Sequence, residues 1–64
     1  MYKHLITIYR KDLAEQGNDY MFTFSFETET KTPKVEDWNN FLIANKLDKI
    51  QDKWVMFGYI TLLK

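Results

Sequence analysis

The chain has 64 residues, no cysteine, and nine basic side chains balanced by nine acidic ones, for a formal net charge of zero. These values leave room for one domain and exclude a disulfide framework or a thiolate metal site. They also argue against a strongly basic nucleic-acid binder and against an acidic nucleic-acid mimic.

Hydrophobic residues make up 45% of the chain and aromatics 17%. That is enough to stock a core in a chain whose short length would otherwise leave it marginal. Residues 1–7 contain no basic segment followed by an apolar run, so no secretory leader is expected. The longest uncharged stretch, residues 54–63, falls far short of the ~20 apolar residues of a membrane helix. A cytoplasmic protein without a membrane partner is the expectation.

Taken in chain order, residues 2–10 mix Leu5, Ile6, Ile8 and Tyr9 around Thr7, a β-branched and aromatic composition that favours a strand. Residues 11–19 are polar and close on Gly17-Asn18-Asp19, a turn signal. From Tyr20 the period is two: Tyr20, Phe22, Phe24 and Phe26 alternate with Met21, Thr23, Ser25 and Glu27, which marks a half-buried strand. The two strands are expected to form a hairpin pairing Ile8 with Phe22 and Ile6 with Phe24. That register also sets Lys3 opposite Glu27 and Thr7 opposite Thr23, whereas a one-residue slip would bury Thr7 among phenylalanines.

After a polar connector, Thr32-Pro33 reads as an N-cap followed by proline at the first helical position. Glu36 and Asp37 then suit the helix dipole, Val35, Trp38 and Leu42 form an apolar stripe with Phe41 at its edge, and Asn45 is a natural stop. Leu47 and Ile50 leave that stripe, which predicts a second short turn or a loop. Residues 53–63 form a last strand that is apolar on both alternating sets. Trp54, Met56, Ile60 and Leu62 lie on one side, and Val55, Phe57, Tyr59 and Leu63 on the other. Gly58 suggests a bulge or a close approach of the helix.

The expected fold is α+β in the order β-β-α-β, a single domain over residues 1–64. The first strand is central in a three-stranded antiparallel sheet, and one helix packs on one face.

The chemical inventory is thin. Ser25 is the only serine and His4 the only histidine. The hairpin register points them to opposite faces, so no catalytic role is assigned and His4 reads as a strand-end residue. Asp48 with Asp52, and Glu27 with Glu29, are carboxylate pairs without a histidine or cysteine, so no metal site is assigned and they read as solvated surface. The two glycines lie too far apart for a phosphate loop, and no cofactor is implied.

The most informative feature is a surplus of apolar surface. If Ile6, Ile8, Phe22, Phe24, Met56 and Ile60 meet the helix, the outer face carries Leu5, Tyr9, Met21, Val55, Phe57 and Tyr59. Such a patch suits a protein interface, unless residues 47–50 or the loop around Leu13 fold over it. The expectation is therefore a non-catalytic protein-binding module, a regulator or inhibitor, acting through that face or through an edge strand. Its alternatives are a homodimer burying the same patch, and a single-strand nucleic-acid binder using Lys46, Lys49 and Lys53. Asp48 and Asp52 dilute the charge of those lysines.

Overall fold

A computed structural model describes residues 1–63 of the chain. Its elements follow in the order β1 (Tyr2–Arg10), α1 (Lys11–Glu15), β2 (Met21–Thr28), α2 (Val35–Ala44), a 3-10 segment (Asp48–Lys53) and β3 (Trp54–Leu63). The sheet order is β2-β1-β3, with β1 antiparallel to both neighbours. The strands therefore take the expected arrangement, with two short helical additions in the connectors.

The hairpin has the register set by its alternating pattern: Ile8 lies opposite Phe22, Ile6 opposite Phe24, Thr7 opposite Thr23 and Lys3 opposite Glu27. Its connector is not a plain turn. Residues 11–15 coil into α1, which ends at Gly17 with φ +75°. The Asn18 and Gly17 N–H groups bond back to the Leu13 and Ala14 carbonyls at 3.0 and 3.1 Å, a Schellman closure.

Helix α2 starts two residues later than Thr32-Pro33 suggests. Lys34 is the extended N-cap, and the Asp37 carboxylate accepts its backbone N–H at 2.9 Å. Upstream, the Thr28 hydroxyl donates to the Thr30 carbonyl and the Thr30 hydroxyl to the Thr32 carbonyl, which orders these residues as a turn before the helix. The face that meets the sheet also differs from the expected stripe: Val35 is 77% exposed, while Phe41, assigned to the edge, is buried at its centre. Asn45 does end the helix, its side-chain amide donating to the Phe41 carbonyl at 2.9 Å.

The core lies on one side of the sheet. Ile6, Ile8, Phe41 and Leu47 are buried, with Phe24, Phe26, Trp38, Leu42, Ile50 and Trp54 packed around them. Phe26 stacks on Phe41 at 4.9 Å and meets Trp38 edge-on at 5.3 Å, contacts that add about 0.5–1.5 kcal/mol each beyond area burial. Leu47 and Ile50 join this cluster, so they do not cover the outer face. Trp54 fastens the 3-10 segment by donating its indole N–H to the Leu47 carbonyl at 3.0 Å. The molecule is 13 Å across its shortest axis, room for a sheet and one helical layer but not for a second.

Candidate protein-binding surface

The site is built by an irregularity in β3. Met56 pairs with Ile8 but Gly58 pairs with Thr7, so Phe57 is an extra residue with no partner on β1. Beyond this bulge the alternation inverts. Tyr59 pairs with Ile6 and Thr61 with His4, on the side of the helix, whereas Ile60 pairs with Leu5 and Leu62 with Lys3, on the outer side. The expected placement of Tyr59 on the outer face is therefore corrected, and Ile60, expected under the helix, takes its place. Gly58 marks the bulge. A Cβ placed there would meet only Thr7 side-chain atoms, at 3.7 and 3.8 Å, so no close approach of the helix requires it.

On the outer face Met21 and Val55 flank Tyr9, and Ile60 lies beside Leu5. Val55, Met21 and Leu62 are exposed, as are Phe57 at 70% and Ile60 at 55%. Tyr9 is partly shielded by Tyr20, whose ring lies edge-on at 5.2 Å. β3 is also an edge strand of ten residues without a charge or a proline. Natural edges usually carry a lysine, a proline or a covering element. The total accessible surface, 4711 Å², exceeds the ~4,400 Å² typical of a monomer of this mass, in keeping with a bare sheet face.

The helix side holds a polar arrangement absent from the sequence reading. His4 is fully buried rather than a solvated strand end. Its Nε2 lies 2.6 Å from the Thr28 hydroxyl, and its Nδ1 lies 3.0 Å from that of Thr61 and 3.1 Å from that of Tyr59. Thr28 already donates its only proton to the Thr30 carbonyl, so it accepts from His4 and Nε2 carries the hydrogen. In the neutral ring Nδ1 then accepts from Tyr59, whose oxygen in turn accepts from Thr61 at 3.1 Å. No buried side-chain polar atom lacks a partner among the described residues. The signal for this site was parity: His4 alternates with Leu5 and so shares a face with Ile6 and Ile8.

Ser25 pairs with Leu5 on the outer face, while His4 pairs with Phe26 on the other, so the two do not meet. Among the described residues no three histidine, aspartate or glutamate side chains gather as a metal-ligand set, and no helix is long and apolar enough to cross a membrane. Lys46, Lys49 and Lys53 do not share a helical face. Lys46 has φ +60° in the turn after α2, and the 3-10 segment is interrupted at Ile50. Lys46 and Lys49 border one hollow that Lys53 does not reach.

One half-buried charge pair is well formed. The Arg10 guanidinium donates to both Asp12 carboxylate oxygens, at 2.9 and 2.7 Å. These hydrogen bonds hold the Asp12 carboxyl down at about 2, and the same contact raises Arg10.

The chain matches no family model, and neither curated proteins nor solved structures give a match to it.

Proposed function

We propose that the chain is a non-catalytic protein-binding module that occludes or bridges a partner through β3 and the outer sheet face. The observation that carries this reading is the edge position of an uncharged strand whose outer neighbours, Val55, Phe57, Ile60 and Leu62, are exposed. Main-chain groups on a free edge supply affinity by strand addition, and alternate side chains supply selectivity. Exposed Tyr, Phe and Met are the types enriched at interface centres.

A second reading uses the same surface. Two copies can pair antiparallel along β3 around a two-fold axis, which a net charge of zero does not oppose.

The test is capture of partners from a nuclease-treated lysate by the tagged protein, repeated with Phe57→Ala and Ile60→Lys, alongside sedimentation across a concentration series. A single stoichiometric protein lost in both variants supports the module. A mass that doubles with concentration and reverts in Ile60→Lys supports the dimer. If both variants unfold, these side chains belong to the core and the surface reading is wrong.

A further inference from the structure

The second surface concerns the opposite side of the sheet and does not depend on β3. Ile8 is completely buried, yet Phe22, its partner on β2, is 37% exposed. The cover over this end of the sheet is incomplete, leaving a slot of about 500 Å³ floored by Phe22, Phe24, Leu47 and Ile50. Its charged lining residues are Arg10, Lys46 and Lys49, with no carboxylate among them. Two other hollows do carry carboxylates: Asp37 and Glu27 line both, joined in one by Glu29, Glu36 and Lys34.

Arg10 is engaged by Asp12, whereas Lys46 and Lys49 make no ion pair among the described residues. Lys46 closes the end of α2 at the rim of the slot. Its φ of +60° belongs to the left-handed region that glycine occupies freely and other residues occupy at a cost. A lysine stands there, and it is one of the residues lining the slot.

We propose that this slot docks a segment of a protein partner that presents an apolar side chain next to a carboxylate. The apolar side chain lies on Phe22, Phe24 and Ile50, and the carboxylate meets the Lys46 and Lys49 ammonium groups. An acidic peptide is favoured over a nucleic acid because the cationic set is small and the chain as a whole is uncharged. It is favoured over an inorganic anion because most of the floor is apolar.

The experiment pans a random heptapeptide library displayed on phage against the immobilised full chain. The affinity of a synthetic consensus peptide is then measured by fluorescence anisotropy. The expected result is enrichment of Asp or Glu beside Leu, Phe or Ile, with binding weakened roughly three- to tenfold by Lys46→Ala/Lys49→Ala. Lys53→Ala is expected to leave it unchanged. Lys46→Gly removes the cation while relieving the backbone, so lost binding in a protein at least as stable cannot be ascribed to unfolding. Consensus peptides indifferent to both lysines but lost in Ile60→Lys overturn the slot while leaving the β3 reading intact. Failure to enrich any peptide overturns the slot proposal outright. Tighter binding of twelve-nucleotide oligo-dT than of the consensus peptide, with a steep salt dependence, reassigns the slot to single-stranded nucleic acid.

Discussion

Gly17 and Lys46 hold equivalent places at the ends of α1 and α2, with φ of +75° and +60°. In each case the next residue, Asn18 or Leu47, bonds back to a carbonyl five residues earlier, at 3.0 or 2.8 Å. At α2 the apolar contact of this closure is present too, since Leu47 is buried beside Leu42 and Phe41. One helix end uses the residue best suited to the conformation, and the other does not.

The comparison fixes the sign of two substitutions. A left-handed conformation costs a non-glycine residue about 1–2 kcal/mol, and the greater freedom of glycine in the unfolded chain returns about 0.5–1 kcal/mol of that. Lys46→Gly is therefore expected to stabilise the fold by about 0.5–1 kcal/mol, read as a raised urea midpoint. Gly17→Ala is expected to lower stability by a similar amount from backbone strain alone, because a Cβ there meets nothing within 4 Å. A lower midpoint for Lys46→Gly would show that the lysine side chain contributes more by packing than its backbone costs.

The donor order around His4 is open to direct observation. Nitrogen-15 NMR of the neutral imidazole should report a protonated Nε2 and an unprotonated Nδ1; the reverse pattern would break the chain from Tyr59 through His4 to Thr28. Tyr59→Phe removes the hydroxyl facing Nδ1 and is expected to cost about 1 kcal/mol. His4→Ala leaves a cavity and disrupts the partners of Thr28, Tyr59 and Thr61, and should cost about 3 kcal/mol.

Acid exposes the Arg10–Asp12 contact. The Asp12 pKa in the fold, about 2, lies below the ~3.9 of an unfolded chain. Its contribution is therefore complete above the unfolded value and disappears as pH falls through the folded one. Carbon-13 titration of the Asp12 carboxyl should give a midpoint near the lower value, and Arg10→Gln should return it toward the ordinary carboxylate range. A midpoint already at the ordinary value with Arg10 present would mean that the pair does not form in solution.

Deleting Phe57 is a stringent test of the bulge. A deletion inside a strand normally turns every following side chain to the opposite face. Here Met56 already pairs with Ile8 and Gly58 with Thr7, so removing Phe57 joins two correctly registered halves. The deleted protein should stay folded within about 1 kcal/mol, with the Tyr59 and Thr61 contacts to His4 preserved in its NMR spectrum. Global unfolding would show that the pairing depends on the extra residue.

These relationships also mark how far the sequence could be read. The β1–β2 register was legible because four aromatics alternate with Met21, Thr23 and Ser25, and a single slip would have buried Thr7. The start of α2 was not, because Thr32-Pro33 is a strong local signal and the winning contact, Asp37 with the Lys34 N–H, lies further along. The faces of β3 were half legible. With both alternating sets apolar, nothing in the pattern locates an inserted residue, and one insertion exchanges Tyr59 for Ile60. His4 could have been placed in the core from its parity with Ile6 and Ile8, but its polarity weighed against that. The slot combines β1, β2 and the turn after α2, and such convergence of distant segments leaves no periodic trace.

The central position of β1 has a kinetic consequence. Its hairpin partner β2 is made soon after it, but its other edge waits for β3, which places His4 and its bonding partner Thr61 57 positions apart. Throughout synthesis of the intervening chain, one side of the most buried strand presents unpaired amides and carbonyls. Until β3 is available that edge stays open, so closure of the sheet waits on its most non-local pairing.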